Sequence, residues 1–150
     1  MDNTYNINIL INQFEERIAT VFINIARFDV LPRIVYDTQG RFVYANENFT
    51  DLLGYSLSDI AGRSIADFMV SEDQERSMST LNEDGLVVLD NYYNRYWHKD
   101  GHIVYLHWLR CYNDKPMQIG SGQCTEISEE EYFTKPKIYE KGLSIKSRMD

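Results

Sequence analysis

The sequence predicts an α+β fold: a five-stranded antiparallel sheet with short helices on one face and an N-terminal amphipathic helix. Three observations lead to this prediction. Five runs rich in β-branched and aromatic residues are separated by turn residues, as antiparallel strands are. Between the second and third runs, glycines at short intervals leave room only for brief helices. Ahead of the first run, apolar residues recur at helical spacing.

The amphipathic helix is predicted from about residue 5 to residue 28. Its apolar residues alternate spacings of four and three, a heptad seam formed by Ile7, Ile11, Phe14, Ile18, Val21, Ile25 and Phe28. Further apolar residues widen this stripe: Leu10, Ala19, Phe22 and Ala26. Because a monomer seldom leaves so much apolar surface in water, we expect a homodimer through the seam from Ile7 to Ile25.

Residues that end one element and start the next define the segment after this helix. A turn at 37–40 joins the first two strands, and Asn46 then stands where a helix N-cap is expected. Gly54 ends that helix, and Gly62 ends a second one that begins at Ser56. We therefore predict structural roles for Asn46, Gly54 and Gly62.

The third and fourth strands are long, and a turn at Asp100-Gly101 joins them. Both faces of the fourth strand, 103–112, are largely apolar, so both faces of the sheet need a cover. We expect the short helices on the inner face. The outer face would be covered by the N-terminal helix, either of the same chain or of a second subunit.

Composition limits the classes of protein to which the chain can belong. With 150 residues, 43% of them hydrophobic, one core and one domain are expected. No window approaches the ~20 apolar residues of a membrane span, and no signal peptide is evident. We therefore expect a cytoplasmic protein with no membrane partner.

Charge is unevenly distributed along the chain. The net charge of −8 argues against direct nucleic-acid binding by the core. The stretch 134–150 holds five basic residues against two acidic ones. We interpret it as a solvated tail, with a weak anion or DNA contact in a longer parent protein left as an alternative.

Cysteine and histidine positions bear on redox and metal chemistry. Cys111 and Cys124 lie on different predicted strands, and strict alternation places Cys111 on the same face as His107. We expect a reduced pair of thiols rather than a disulfide. His98 and His102 flank the Asp100 turn, but alternation and the distance to His107 argue against convergence on an ion. We predict no metal site.

Catalytic motifs are not found in the sequence. It has no phosphate-binding glycine loop, no nucleophile elbow and no His-Glu-x-x-His helix. We therefore predict no catalytic residues and no enzymatic activity. A small enzyme on a similar curved-sheet fold is the lesser alternative.

Three blocks, in the expected order, resemble the PAS domain family. The first resembles Asp-x-x-Gly, Asn-x-x-Phe-x-x-Leu-x-Gly-Tyr-Ser, an acidic residue and Ile-x-Gly, matched at Asp37, Gly40, Asn46, Phe49, Leu52, Gly54, Tyr55, Ser56, Asp59, Ile60 and Gly62. The second resembles the family's Lys-Asp-Gly hairpin, here Lys99-Asp100-Gly101. The third resembles the closing Asp-Ile-Thr-Glu, here Glu126-Ile127-Ser128-Glu129. The resemblance divides the chain into an N-terminal helix (1–30), a PAS domain (31–131) and a short helix end with a basic tail or linker (132–150).

The resemblance implies a non-catalytic sensory or protein-interaction module of a signal-transduction protein. Such a module passes a small-molecule or partner signal to an effector, for example a histidine kinase or a transcription regulator, through flanking helices and dimerisation. Pro136 departs from the continuous C-terminal helix that many members use. Whether the chain is a fragment or a stand-alone protein stays open.

The resemblance also bears on cofactors. The light-sensing flavin branch has a reactive cysteine where this chain has Ile65, and the haem branch needs a histidine on the helix that here spans residues 72–82. Covalent flavin and His-ligated haem are therefore not expected. A flavin or other cofactor held non-covalently is the alternative function, in a pocket for which the candidate residues are Tyr55, Met78, Tyr93, Leu106 and Trp108. Ordinary packing of these side chains is the competing interpretation.

Overall fold

The computed structural model describes the backbone of residues 3–137 and 140–144, and the side chains of residue 13 and residues 15–137. These ranges contain five α-helices and six strands in the following order: α1 Asn3–Phe28, β1 Arg33–Tyr36, β2 Phe42–Ala45, α2 Glu47–Leu53, α3 Leu57–Ile60, α4 Ser71–Met78, β3 Leu86–Trp97, β4 Ile103–Asp114, β5 Ile119–Ile127, α5 Glu129–Thr134 and β6 Glu140–Ser144. Two 3₁₀ turns, Ile65–Phe68 and Ser79–Asn82, flank α4. None of the described helices is both long and apolar enough to cross a membrane.

The sheet is antiparallel, with strand order β2-β1-β5-β4-β3-β6. The predicted fold class is confirmed, and its five strands form the body of the sheet. The sixth strand lies in the stretch that the sequence analysis assigned to a tail or linker. It pairs with β3, because the outer edge of β3 presents unpaired N–H and C=O groups along its first half.

A β-bulge where β4 pairs with β5 changes which side chains of β4 face the core. Between β4 and β5 the register shifts between Trp108 and Arg110. Between β3 and β4 it does not: Asp90 pairs with Arg110, and Tyr92 pairs with Trp108. Asn91, between the two pairs, has a φ of +55°. The prediction that Cys111 shares a face of the sheet with His107 is wrong, because the bulge turns the Cys111 side chain to the inner face. Both Cys111 and Cys124 are free, buried thiols there.

The short helices pack on the inner face of the sheet around an aromatic core. Phe49 of α2 is fully buried and contacts Phe42, Tyr96 and Trp108, with ring centroids 6.1 to 6.2 Å apart. Phe68 adds an edge contact to Phe42 at 5.7 Å. These contacts explain why helices of one or two turns are stable here, since isolated helices of that length are marginal in water.

The second half of α1 covers part of the outer face of the sheet in its own chain. Ala26 is fully buried against Val35 and Ile119, with partly buried side chains around them: Ile18, Ala19, Phe22 and Tyr44. The intramolecular cover that the sequence left as one of two options is therefore present. The seam residues Ile7, Ile11 and Phe14 lie in the helix, but their side chains fall outside the described residues.

Gly54 and Gly62 allow a matched test of the helix stops. Both have φ of +81°, but a Cβ at Gly54 would lie 2.6 Å from His98 Cε1, whereas one at Gly62 would meet no atom within 4 Å. We expect Gly62→Ala to cost about 1 kcal/mol from backbone strain alone. Gly54→Ala should cost clearly more, because its Cβ would also meet the His98 ring, and should lower Tm by about 2–4 °C for each kcal/mol lost, measured by thermal unfolding. An equal loss of unfolding free energy in the two variants would contradict the interpretation that contact with His98 excludes a side chain at Gly54.

Candidate functional site

A small cavity lies between the inner face of the sheet and the short helices. Its volume is about 60 Å³. Strands β1, β3 and β4 form one wall, and the two 3₁₀ turns and α4 form the other, with the lining residues Ile34, Tyr36, Ile65, Met69, Ser77, Met78, Thr80, Leu81, Leu89, Tyr92, Asn94, Tyr96, Trp108 and Cys111. Ile65, at the cysteine position of the flavin branch, is therefore a wall residue.

A series of buried, hydrogen-bonded polar side chains runs along the wall of this cavity. The hydroxyls of Ser77 and Tyr92 are 2.7 Å apart, and Asn94 Nδ2 donates to Ser77 Oγ at 3.2 Å. Trp108 Nε1 donates to Asn94 Oδ1 at 2.6 Å. Burial raises the pKa of Tyr92 to about 12, so its hydroxyl stays protonated. Among the described residues, every buried side-chain polar atom has a hydrogen-bond partner.

The volume of the cavity limits what it can hold. About 60 Å³ is less than half of the roughly 150 Å³ of an apolar cavity that binds benzene. Drug-sized ligands occupy pockets of about 300–1,000 Å³. The cavity is therefore smaller than the pockets that hold drug-sized ligands.

The structure separates the five residues predicted for the pocket. Met78 and Trp108 line the cavity. Leu106 is fully buried in the adjoining core, and Tyr55 packs edge-on against Phe68 at 5.0 Å. Tyr93 lies on the outer face of the sheet, where its ring stacks on His107 with centroids 4.6 Å apart. Sequence analysis missed Ser77 and Asn94, although the alternate positions of Tyr92, Asn94 and Tyr96 on one strand were a signal for Asn94.

Asp73, in the first turn of α4, is a buried charge that the sequence analysis also missed. Its carboxylate is 3% exposed and accepts hydrogen bonds from Arg95 N at 2.8 Å, Arg95 Nη2 at 2.9 Å and Tyr132 Oη at 3.3 Å. Arg76 Nη2 approaches at 3.4 Å. Burial raises the pKa of Asp73, but the hydrogen bonds from Arg95 and the charges of Arg95 and Arg76 lower it by more, so it lies below 3.8.

Helix α5 meets this charge cluster through Tyr132. The Tyr132 ring lies 5.4 Å from the Arg95 guanidinium carbon and 4.0 Å from Lys137 Nζ. It also packs against Tyr105 on the outer face, with centroids 5.2 Å apart. Ser128 caps α5 by accepting from Glu131 N at 3.0 Å. The last described helix of the chain is thus fixed to the sheet and to α4 together.

The predicted dimer seam is split between two sides of α1. Ile18 packs against the domain, whereas Val21, Ile25 and Phe28 are 52%, 53% and 80% exposed. The buried side of the helix is formed instead by Ala19, Phe22 and Ala26. Two apolar strips therefore run along the described part of α1, one in contact with the sheet and one facing solvent.

The three histidines occupy two separate places. His98 and His102 stack at the β3–β4 turn with ring centroids 4.4 Å apart, and both approach Asp100. His107 lies farther along β4, where its Nε2 is 2.9 Å from Asn91 Oδ1. Burial lowers the pKa of His107. Alternation separates His107 from the other two as predicted, but the turn brings His98 and His102 together.

Comparison with known proteins agrees with the fold. Residues 42–115 match a family model described as the PAS fold. The PAS domain of an HTR-like protein from Haloarcula marismortui has a TM-score of 0.58 and 20% identity, covering 77% of this chain and 99% of its own. A PAS domain from Colwellia psychrerythraea has a TM-score of 0.56 and 24% identity, covering 76% and 97%.

A third solved structure is the LOV domain of a blue-light activated histidine kinase from Erythrobacter litoralis. Its TM-score is 0.56 at 16% identity, and the match covers 67% of this chain and 99% of that one. Comparison with curated proteins gives no match. The family model and the solved structures therefore agree that residues 42–115 carry the PAS fold.

The Asp73 cluster predicts a pH dependence of stability. A carboxyl whose pKa is lowered by folding stabilises the protein above its unfolded value, and this contribution is lost as the pH falls through the folded pKa. At pH 7, Asp73→Asn should cost roughly 3 kcal/mol, because Arg95 loses its buried partner. Below pH 3.8 the difference between wild type and variant should shrink. Urea unfolding from pH 7 to pH 3 measures this, and a difference that does not change with pH would contradict it.

Proposed function

We propose that this chain is a non-catalytic sensory or interaction module that passes a signal from its inner face to its flanking helices. The observation that carries the proposal is the position of α4 between the cavity and α5. Ser77 and Met78, at its C-terminal end, line the cavity, and Asp73, at its N-terminal end, holds Tyr132 of α5.

This arrangement links the cavity and α5 through one short, rigid element. Helix α4 is eight residues long, so its two ends are separated by about 12 Å at 1.5 Å per residue. Arg76 of α4 also donates to Tyr93 O at 2.8 Å and lies over the Tyr92 ring at 5.1 Å. A molecule that displaces the C-terminal end of α4 would therefore also move the carboxylate that positions α5.

A small molecule or a partner protein fits this module better than a flavin does. The cavity volume of about 60 Å³ and the fully paired polar groups in its wall offer a flavin neither space nor free hydrogen-bonding groups. Ile65 supplies no thiol for a covalent bond. We therefore place the non-covalent flavin alternative second.

The N-terminal helix is the other candidate output. Its last turn is bonded to the domain through Asn46 Nδ2, which donates to Ala26 O at 3.0 Å. Asp29 accepts from Arg33 Nε at 2.6 Å and from Gln123 Nε2 at 2.8 Å, so the residues after the helix are held as well. Motion of the sheet would therefore be transmitted to α1 rather than absorbed by a flexible joint.

The exposed strip of α1 suits a second copy of the same helix. Val21, Ile25 and Phe28 follow spacings of four and three, as helix pairs require. The opposite strip is already covered by the sheet of the same chain. We propose a homodimer in which the exposed strips of two α1 helices pack together. Effector domains or partner proteins would respond to changes in the relative position of these two helices.

Coupling between cavity and α5 can be tested by a substitution in the cavity wall. Met78→Ala enlarges the cavity on the α4 side without touching the Asp73 cluster. We expect amide hydrogen exchange in α5 to accelerate. The control is a substitution of Ile60, a core residue outside the cavity wall, to Val or Ala, whichever matches Met78→Ala in unfolding free energy. Equal acceleration in both variants would mean ordinary loss of stability and not coupling.

Dimerisation can be tested on the exposed strip alone. Val21→Asp and Ile25→Asp place a charge on the proposed interface and should convert a dimer to a monomer in light scattering. Thr20→Asp is the matched control, because Thr20 is exposed on another side of the helix. Ile18→Asp is less suitable, since Ile18 contacts the domain. A monomeric wild type, or a dimer that survives both interface variants, would contradict this proposal.

A further inference from the structure

We propose that the turn between β3 and β4 binds a first-row divalent transition-metal ion, with Zn²⁺ as the best fit, through His98, Asp100 and His102. One ligand atom of each side chain lies within 4.8 Å of the other two. Two imidazoles and one carboxylate are a donor set that Zn²⁺ accepts in proteins. This inference goes beyond the proposed signalling function.

The three side chains already converge on one point. His98 Nδ1 lies 3.2 Å and His102 Nδ1 lies 2.5 Å from the same oxygen, Asp100 Oδ1. Zinc bonds to nitrogen and oxygen are about 2.0–2.2 Å long, so neighbouring ligand atoms of a tetrahedral ion are roughly 3.4 Å apart. Small side-chain rotations therefore bring all three atoms to the spacing that an ion needs.

The backbone of the turn holds this convergence in place. His98 N donates to His102 O at 2.8 Å, and Gly101 N donates to His98 O at 2.9 Å. Gly101 has a φ of +98°, which a glycine adopts without strain. Asp100 Oδ1 also accepts from His102 N at 3.1 Å. Because the turn fixes the ligands before the ion arrives, little conformational freedom is lost on binding.

One hydrogen bond within the turn defines the protonation of His98 Nδ1. Asp100 N donates to His98 Nδ1 at 3.1 Å, so this nitrogen carries a lone pair and no proton. An ion would take that lone pair in place of the amide.

The surroundings leave the site accessible on one side and supported on the other. The His98 ring packs against Gly54, where any Cβ would lie 2.6 Å from His98 Cε1. Lys99, between the ligands in sequence, pairs with Asp59 Oδ2 of α3 at 3.5 Å. The exposed Asp100 and His102 side chains face solvent, so water can complete the coordination shell.

The test is calorimetric titration of untagged, chelator-treated protein with ZnCl₂. We expect one saturable site per chain. His98→Asn removes an imidazole ligand but keeps an acceptor for the Asp100 amide. Asp100→Asn replaces the carboxylate by a neutral amide, a poorer ligand for Zn²⁺, but keeps the acceptor for His102 N. Each of these variants, and His102→Ala, should weaken binding at least about tenfold, since even the loss of an outer-shell partner costs that much.

His107→Ala is the matched control, because His107 lies on the outer face beside Tyr93 and should leave binding unchanged. Thermal unfolding without metal shows whether each variant is folded, and the visible absorption of the Co²⁺ form reports imidazole ligation independently. Three results would overturn the proposal: no saturable binding to wild type, undiminished binding in the folded His98 and His102 variants, or equal weakening in His107→Ala. None of them bears on the helix pairing or α4 coupling proposed above.

Discussion

The amide of one buried side chain, Asn46, joins the parts of this molecule that the rest depends on. It is 2% exposed, and its Oδ1 accepts from Arg33 N at 3.0 Å and Phe49 N at 3.1 Å. Its Nδ2 donates to Ala26 O at 3.0 Å and to Leu31 O at 2.8 Å. All four bonds that a primary amide can make are used. Replacing it would leave the end of α1, the start of β1 and the start of α2 without a common partner.

Asp73 connects the C-terminal helix α5 to the domain in a comparable way. It joins α4 to β3 through an ion pair with Arg95, in which the carboxylate is almost fully buried, and it joins α4 to α5 through Tyr132. Buried charges of this kind add little net stability compared with apolar packing, but they are costly to break. Together, Asn46 and Asp73 connect both flanking helices to one sheet, which is what a module that relays movement requires.

Much of the candidate site could be read from local pattern, and part of it could not. Met78 and Trp108 were found because apolar spacing and strand alternation place them on the inner face. Tyr93 was assigned to the pocket, but the structure places it on the outer face, and Cys111 was assigned to the wrong face. The register shift between Trp108 and Arg110 exchanges the two faces of β4 without any change in composition, so alternation counted across it puts Cys111 on the wrong side.

The sequence by itself determined the fold class, the order of elements as far as α5, the helix stops at Gly54 and Gly62 and the cap at Asn46, because each depends on residues within a few positions. The tertiary structure alone decided the small cavity, the Asp73 cluster and the pairing of β6 with β3. Arg95 is 22 residues from Asp73, and Tyr132 is 59 residues from it. Contacts at such separations arise from the topology of the sheet, which brings distant segments together and which no local pattern encodes.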